Sequence, residues 1–447
     1  MTHFGIICPP YPGHLNPQSA LGRELQKRGH QVTVLQLIDL EKKVQSEGLE
    51  FYPVGLSIYQ PGLLAETFQQ LGQLSGIKAL QYSVDFCQLF TEILCQDAPK
   101  AIAKLGINAL LVDQLEPVGE TIAEYLNLPL IVVSCGQAIH RRGDVPPFFT
   151  PWLYQNQAWA KLRNQIAYFI LDYSCQPILN TINQYRQQWK LPHYPHFYGA
   201  TSTRLAHISQ QPEAFDFPIP NLPKNFYYTG PFRNQSPQNI PFPYDRLTGQ
   251  PLIYASLGSV QNTKVNLFRS IAEACQQLDA QLLITHGGGM SKDEVKTLPG
   301  SPLVVEYAPQ IEVLAKASLT ITHGGMNTVM DSLSYGVPLV AIPITFEQPG
   351  TGARIRWTKT GEVIPISYLK VSRLQQAIQQ VLTHNSYSEN ALKIRDSIRK
   401  AGGVKRAANI VEQCVKQPTK PLNDYEYQRK ILANSKRTVI TTTHKAK

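Results

Sequence analysis

The chain has 447 residues, of which 43% are hydrophobic and 17% are charged, so it is long enough to form two globular domains. It contains no run of about 18 apolar residues and no basic leader before an apolar stretch, which argues against a membrane span and a signal peptide. The seven cysteines show no CxxC spacing, which favours reduced thiols in the cytoplasm.

The net charge of +10 is unevenly distributed along the chain. Half of it lies in the last 31 residues, where seven Lys and Arg oppose two Asp and Glu. The remainder is only mildly basic and offers no platform of aromatic and basic residues, so nucleic acid is not an expected partner. We predict that 418–447 is a poorly ordered, solvated tail, with attraction to an anionic membrane surface as the alternative.

The first forty residues predict a strand, a loop, a helix and a second strand, in the segments FGIIC, PPYPGHLNP, QSALGRELQKRGH and VTVLQLI. The same pattern recurs at 108–134. Continuous apolar strands that alternate with helices are typical of a parallel sheet covered on both faces. Residues 231–251 contain five prolines together with Asn and Gln, and they predict an interdomain linker.

The second half repeats the alternation of strands and loops. Apolar strands are predicted within 251–259, 281–289, 303–309, 318–325 and 338–344. We therefore predict an α/β protein with two facing, doubly wound, Rossmann-like domains at 1–235 and 236–417. Ligands of such sheets bind beyond the carboxyl ends of the strands, so the expected active site is the cleft between the domains.

The tetrapeptide THGG occurs twice, at the end of two predicted strands. The second copy is followed by MNTVMDSLSYG, whose apolar residues have helical spacing, so free backbone N–H groups should form an anion site there. The first copy is followed by a charged piece that stops at Pro299, and it predicts a loop lining the cleft. No GxSxG elbow, GxGxxG, Walker motif or DxD pair occurs, which predicts phosphate binding without a metal ion.

The stretch 306–348, EYAPQIEVLAKASLTITHGGMNTVMDSLSYGVPLVAIPITFEQ, resembles the nucleotide-sugar signature of family 1 glycosyltransferases. The resemblance extends over the layout of residues 1 to about 417. It implies the GT-B fold, an inverting reaction and a UDP-sugar as donor. The segments NTVMDSL, FEQPGTGARI and DVPPFFTPW are most similar to the bacterial zeaxanthin glucosyltransferase branch.

The resemblance also implies a set of donor-binding residues. They are Ser259, Tyr307, Ala308, Gln310, His323, Gly325, Asn327, Thr328, Asp331, Glu347 and Gln348. Tyr307 is expected to stack on uracil, Ala308 to meet the base edge, and Gln310 to meet the ribose. The diphosphate is expected to meet Ser259 and residues 323–328. Asp331 replaces the usual ribose-binding Glu, and Glu347–Gln348 replaces the usual sugar-binding Asp–Gln.

The expected base lies in the loop PPYPGHLNP after the first strand. A lone histidine such as His14 usually packs or caps a helix, but its strand-end position and the match of PGHLNP to the family's catalytic loop favour a general base. Asp113 ends the apolar run NALLVD and is implied as its partner, which would fix the imidazole tautomer. The alternative for Asp113 is a plain strand-end aspartate.

The acceptor site is expected in the aromatic segment after 130–134. Phe148, Phe149 and Trp152 are the candidate acceptor-binding residues; about half of the segment's aromatics should be core, and the rest could line an apolar pocket or a membrane-facing mouth. Residues 140–142, His-Arg-Arg, either contact the donor or are solvated charges.

Together these inferences predict a metal-independent hexosyltransferase that moves glucose from a UDP-sugar to a hydroxyl of an apolar molecule such as a hydroxylated carotenoid. No cofactor is expected. The protein should be cytoplasmic, with possible peripheral membrane contact. The alternatives are a phenolic or macrolide-like acceptor, and a UDP-sugar 2-epimerase of the same fold, which would not need the PGHLNP loop.

Overall fold

The computed structural model describes residues 1–74, 76–197, 204–233 and 240–416, which form two parallel sheets. The strands of the first sheet are β1 (His3–Ile7), β2 (Gln31–Gln36), β3 (Glu50–Pro53), β4 (Ala109–Asp113), β5 (Leu130–Ser134), β6 (Arg204–Ser209) and β7 (Phe226–Tyr228). Their order is β3-β2-β1-β4-β5-β6-β7. The predicted tail at 418–447 and part of the predicted linker lie outside the described residues.

The second sheet contains the remaining six strands. They are β8 (Leu252–Ser256), β9 (Gln281–Thr285), β10 (Leu303–Val305), β11 (Ala317–Thr322), β12 (Leu339–Ala341) and β13 (Gly361–Val363). Their order is β10-β9-β8-β11-β12-β13. In both sheets, successive strands are added first toward one edge and then, from the middle, toward the other, while all strands stay parallel. This confirms the predicted α/β class with two doubly wound domains.

Helices connect the strands of both sheets. Those of the first half are α1 (Pro12–Lys27), α2 (Glu41–Ser46), α3 (Leu63–Gln73), α4 (Gly76–Leu105), α5 (Pro117–Tyr125), α6 (Ala158–Ser174) and α7 (Gln176–Gln188). Those of the second half are α8 (Val265–Cys275), α9 (Lys292–Lys296), α10 (Gln310–Leu314), α11 (Met326–Ser334), α12 (Gln348–Thr358), α13 (Val371–Thr383), α14 (Asn385–Ala401) and α15 (Gly403–Lys416). Among the described residues, no helix combines the length and the apolarity needed to cross a membrane.

Helix α1 begins six residues earlier than the sequence predicted. The loop PPYPGHLNP was expected to last until Gln18, but the helix begins at Pro12. Proline is well tolerated at the first helical position because the N–H it lacks would have no partner there, and Tyr11 before it is extended. Pro17 lies inside the helix and has no N–H for the carbonyl of Gly13, four residues earlier.

The last helix departs from a simple division into 1–235 and 236–417. Helix α15 packs on α1 and β6 of the first sheet, and its apolar residues belong to the core of that sheet. Glu412 of α15 accepts hydrogen bonds from Arg28 at 2.9 Å and lies 3.1 Å from His30. The chain therefore crosses back to the first sheet after completing the second.

A buried ion pair joins the two halves of the molecule. The Asp216 carboxylate follows a 3₁₀ turn of the first half and lies 2.6 Å from the Arg354 guanidinium of α12, and both side chains are 1% exposed. Burial disfavours the carboxylate charge, but Arg354 and the hydrogen bond with His140 outweigh it and lower the pKa of Asp216. Tyr228 and Gln211 donate further hydrogen bonds to the same carboxylate.

Breaking this pair should weaken the fold strongly. We expect Asp216→Asn to lower the free energy of unfolding by about 3–5 kcal/mol, because it leaves the Arg354 charge buried without a counter-ion. Since the folded pKa of Asp216 is lowered, the contribution is present at neutral pH and is lost as the pH falls through that pKa. Urea denaturation at neutral pH measures the loss.

The matched control is Asp293→Asn, which removes an exposed pair with Lys296 at 2.9 Å. Both side chains of that pair are more than 70% exposed, so the urea midpoint should hardly move. Equal midpoints for the two variants would show that the Asp216–Arg354 pair does not stabilise the protein.

Candidate active site

The candidate active site lies where the carboxyl ends of the two sheets face each other. In the first sheet the strand order reverses between β1 and β4, and in the second between β8 and β11. Ligands of doubly wound sheets bind at such switch points. A hydrogen bond of 2.8 Å from Asn327 Nδ2, after β11, to the carbonyl of Gly13, after β1, brings the two edges together.

His14 and Asp113 form a pair at the first switch point. His14 Nδ1 lies 2.9 Å from Asp113 Oδ2, and the aspartate is 1% exposed at the end of β4. Asp113 Oδ1 accepts a 2.9 Å hydrogen bond from the backbone N–H of Leu115. An ionised carboxylate in this position favours the tautomer in which Nδ1 carries the proton, so the lone pair of Nε2 is available to accept another.

The electrostatic surroundings of His14 make its imidazole more basic. Burial lowers its pKa, but the charge and the hydrogen bond of Asp113, together with Glu347 from the second domain, outweigh burial, so the pKa of His14 is raised. His14 Cε1 and Glu347 Cγ both lie within 4.0 Å of the point where a Cβ on Gly136 would stand. The second domain therefore supplies a carboxylate beside the imidazole.

His14 and Asp113 also belong to one group of candidate metal ligands. With Cys135, their ligand atoms all lie within 4.8 Å of one another, and this is the one such group of three or more found in the described ranges. Burial and the nearby Asp113 raise the pKa of the Cys135 thiol well above its usual range.

His323, in the second THGG, packs between two glycines at the second switch point. A Cβ at either Gly258 or Gly325 would come within 2.6 Å of its imidazole ring. Burial lowers the pKa of His323 to about 4. The imidazole is therefore neutral at physiological pH and can act as a neutral hydrogen-bond donor beside the N-terminus of α11.

Asn327 and Thr328 occupy the first turn of α11. Thr328 is 7% exposed. Asn327, implied as a phosphate ligand, uses both ends of its side-chain amide across the domains. Its Nδ2 donates to the carbonyl of Gly13, and its Oδ1 accepts from Gln210 at 2.9 Å. The side chain thus couples the phosphate turn to the turn that carries His14.

Asp331 lies one turn further along α11 and is held on both carboxylate oxygens. Oδ2 accepts a 2.6 Å hydrogen bond from Gln310, whose Oε1 accepts from Tyr254 at 3.0 Å. Oδ1 pairs with the Arg233 guanidinium. Arg233 also donates to the carbonyl of Asn327 at 3.0 Å. The sequence prediction missed Arg233, because nothing in the segment PFRN indicates that it faces a carboxylate about 100 residues later.

Three further donor-site candidates follow strands of the second sheet: Tyr307 and Ala308 follow β10, and Ser259 follows β8. Tyr307 is 58% exposed, so its ring is available to stack on a base, whereas Ala308 is buried. Tyr307 donates to the carbonyl of Gly287 at 3.3 Å, so the first THGG loop does line this part of the cleft. Within the first THGG loop, the His286 ring accepts a hydrogen bond of 3.1 Å from the backbone N–H of Met290, which closes that loop. Ser259 is exposed in the loop after β8.

Gln348 is the first residue of helix α12, and Glu347 is the residue before it. Burial raises the pKa of Glu347, although His14 opposes this. The Oε1 of Gln348 accepts hydrogen bonds from the N–H groups of Ile344 and Thr345, at 2.9 and 3.0 Å. Gln348 therefore shapes the loop before α12 with its carbonyl oxygen, and its amide nitrogen can donate to a ligand.

The three acceptor candidates divide into two locations. A Cβ on Gly350 would meet the carbonyl of Phe148, so Phe148 lies against the N-terminus of α12, and Phe149 packs edge-on against it. Trp152 instead lies beneath Arg163 of α6, with 4.1 Å between the guanidinium carbon and the ring centroid. Phe148 and Phe149 are thus next to the cleft, and Trp152 is part of a groove on α6.

The His-Arg-Arg segment at 140–142 forms ion pairs within the protein. His140 contacts Asp216, Arg141 pairs with Asp172, and Arg142 pairs with Asp144 at 2.8 Å. These contacts hold the 140–144 segment on α6 and on the interdomain ion pair. The sequence analysis offered donor contacts or solvated charges for this segment and missed the ion pairs. Asp216 and Asp172 are distant in sequence from it, and the nearby Asp144 was overlooked.

Comparison with known proteins gives three concordant results. The family described as UDP-glucoronosyl and UDP-glucosyl transferase matches residues 10–406. The chain is 33% identical to zeaxanthin glucosyltransferase from Pantoea ananas over 423 residues, 94% of this chain and 97% of that protein. It is also 33% identical to zeaxanthin glucosyltransferase from Pseudescherichia vulneris, over 93% of this chain and 98% of that one.

The solved structures add agreement on the fold. The glycotransferase of kitacinnamycin superposes with a TM-score of 0.73 at 20% identity, covering 92% of this chain and 98% of that one. At this identity the similarity establishes the arrangement of the two domains, and it confirms the predicted GT-B fold. This similarity says nothing about the substrates of this chain.

The two THGG histidines should differ in their effect on nucleotide binding. We expect His323→Ala to raise the dissociation constant of UDP by about tenfold or more, or about 1.4 kcal/mol, because it removes a hydrogen-bond donor at the anion site. His286→Ala should have a much smaller effect, because that imidazole only closes its own loop. Isothermal titration with UDP measures both; equal weakening by the two variants would overturn the ranking of the two motifs.

Proposed function

The chain belongs to the UDP-glucoronosyl and UDP-glucosyl transferase family, and on this premise we propose that it moves glucose from UDP-glucose to a hydroxyl group of an apolar small molecule with inversion at the anomeric carbon. We propose a hydroxylated carotenoid as the acceptor, since both relatives at 33% identity are zeaxanthin glucosyltransferases. The observation that carries the proposal is the His14–Asp113 pair, which faces the phosphate turn across the cleft.

The second domain binds the donor in this proposal. The uracil stacks on the exposed ring of Tyr307, and the ribose hydroxyls donate to Asp331. The diphosphate accepts hydrogen bonds from His323 and from backbone N–H groups at the start of α11, with Ser259 at the opposite side. The glucose hydroxyls meet Glu347 and Gln348. Gln310 and Arg233 hold the Asp331 carboxylate in the orientation that the ribose needs.

The first domain supplies the base. The Nε2 of His14 takes the proton of the acceptor hydroxyl as the oxygen attacks the anomeric carbon from the face opposite the diphosphate. Asp113 holds the proton on Nδ1 and stabilises the imidazolium as it forms. A single displacement converts the α-linked donor into a β-glucoside and releases UDP.

The charge that develops on the leaving diphosphate is stabilised by dipoles. His323 is a neutral donor because burial lowers its pKa to about 4, and the N-terminus of α11 adds its free N–H groups. These groups form a preorganised anion site, and we propose that the reaction needs no divalent cation.

The acceptor enters beside Phe148 and Phe149, which lie against the start of α12. Their rings pack on each other and offer an apolar surface beside the start of α12, and an apolar chain could extend from there over Trp152. We propose that the protein acts in the cytoplasm, where the seven unpaired cysteines of the chain are stable as thiols.

The reaction itself gives the first test of this function. With UDP-glucose and detergent-dispersed zeaxanthin, we expect UDP release that depends on the acceptor, a product that NMR identifies as the β-glucoside, and equal rates with and without EDTA. TDP-glucose and a simple phenol serve as the competing donor and acceptor. UDP release without acceptor, together with an epimerised sugar, would instead identify a UDP-sugar 2-epimerase, and an α-glucoside would exclude a single displacement.

The base can be tested by its rate and its pH dependence. We expect His14→Ala to lower the transfer rate by about 10² to 10⁴ without changing the UDP dissociation constant by more than about threefold. In the wild type, kcat/KM should rise with pH through an apparent pKa above about 6.5, the ordinary value for histidine, because Asp113 raises the pKa of His14. Asp113→Asn removes that attraction, so this limb should move to lower pH and the maximum rate should fall.

The control for this test is the stability of the same variants. If His14 only capped its helix, the alanine variant would lose about 0.5–2 kcal/mol of stability and keep its rate at low temperature. A folded, UDP-binding His14→Ala variant with the wild-type rate would exclude the proposed base.

A further inference from the structure

Helix α6 carries more exposed large apolar side chains than any other helix or strand in the ranges that the structure describes. Each of the six is between 52% and 77% exposed. They are Trp159, Leu162, Ile166, Phe169, Ile170 and Tyr173. At about 100° per residue they project from a single arc roughly 100° wide, and we call this surface the α6 face.

The opposite side of the helix is packed in the usual way. Ala160, Asn164, Ala167 and Tyr168 are buried, and the hydroxyl of Tyr168 donates to the carbonyl of His140 at 2.8 Å. The α6 face is therefore an outward apolar surface on a well-anchored helix. Contiguous apolar surface of this kind is uncommon on soluble monomers and marks an interaction site.

The charges around the α6 face are predominantly positive. On α6 and the 140–144 segment packed against it, four cations stand against two carboxylates, Asp144 and Asp172. The cations are Arg141, Arg142, Lys161 and Arg163. Both carboxylates pair with arginines of the segment, so the excess of two positive charges lies on Lys161 and on Arg163, which stacks over the rings of Trp152 and Trp159.

We propose that the α6 face binds the surface of a phospholipid bilayer that contains anionic lipids. An apolar arc with Trp, Phe and Tyr beside cationic side chains is the composition of helices that lie in the membrane interface, where aromatic rings prefer the headgroup level. The 17-residue helix is about 25 Å long and lies flat on the fold, so it can insert its side chains without crossing the bilayer.

The position of the α6 face would let the bilayer supply the apolar acceptor to the cleft, an inference that rests on the proposed function. Trp152, Trp159 and Ile166 line one open groove on the face. Trp152 is only four residues from Phe148, whose carbonyl lies against Gly350 at the edge of the cleft. An apolar acceptor dissolved in the bilayer could thus reach the cleft along this segment without passing through water.

Binding of the full chain to vesicles tests the proposal. The vesicles contain phosphatidylcholine alone or with about 30% phosphatidylglycerol, and binding is measured by co-sedimentation. We expect the wild type to bind the anionic vesicles more tightly, and salt to weaken the binding. Phe169→Asp with Tyr173→Asp should lower the partition coefficient by about tenfold or more, because two apolar side chains of the face that do not line the groove with Trp152 become charged.

Tyr368→Asp is the matched control, because Tyr368 is 64% exposed in the second half of the chain, outside the α6 face. It should leave binding within about twofold of the wild type. Transfer to a detergent-dispersed acceptor should be the same in all three proteins, whereas transfer to an acceptor within vesicles should fall only in the α6 variant. Loss of both reactions in the wild type would refute the proposed function without affecting the vesicle result.

Three outcomes would overturn the membrane assignment. The first is the absence of wild-type binding to either vesicle. The second is binding that survives the α6 substitutions and disappears on truncation after Gln417, which would assign it to the basic tail. The third is a wild-type dimer in sedimentation velocity that the α6 substitutions dissociate, with no vesicle binding by either, which would make the α6 face a contact between two copies.

Discussion

The buried pair between Asp216 and Arg354 sets the geometry on which the active site depends. Arg354 lies within α12, seven residues after Glu347 at the N-terminus of that helix, so the helix links the interdomain pair to the residue beside His14. At a rise of 1.5 Å per residue, the two residues are about 10 Å apart along the helix axis. A helical segment this short bends little, so they move together. Fixing Arg354 against the first domain therefore fixes the backbone of Glu347 relative to the turn that carries His14.

A second coupling arises from the proline in PGHLNP. Pro17 cannot donate to the carbonyl of Gly13, and that carbonyl accepts a hydrogen bond from Asn327 of the phosphate turn instead. The proline thus prepares an unpaired acceptor at the first turn of α1, one residue before His14. The short motif that carries His14 therefore also contacts the second domain. The hydrogen bond between Gly13 and Asn327 holds the His14 turn next to the first turn of α11.

The sequence predicted the features that depend on local pattern. Continuous apolar strands predicted the two sheets, and strand ends predicted where His14, Asp113 and His323 lie, because parallel strands bring their carboxyl ends together. It did not predict the features that depend on distant partners: Arg233 on Asp331, α15 on the first sheet, or Asp216 on Arg354. For the aromatic segment that contains α6, the sequence left a core, an apolar pocket and a membrane-facing mouth open, since apolar residues at helical spacing look the same whether they face a core or the outside.

The distribution of charge matches the changes that the proposed reaction requires. Positive charge forms on His14, and the carboxylates of Asp113 and Glu347 surround it. Negative charge forms on the diphosphate, and the nearest histidine, His323, is neutral, with the N–H groups of α11 beside it. The Arg233 charge is balanced by Asp331. In the proposed reaction, aligned N–H donors stabilise the negative charge on the diphosphate without having to reorganise as it grows. In this proposal, groups of the right sign are therefore in place at both ends of the reaction before any charge develops.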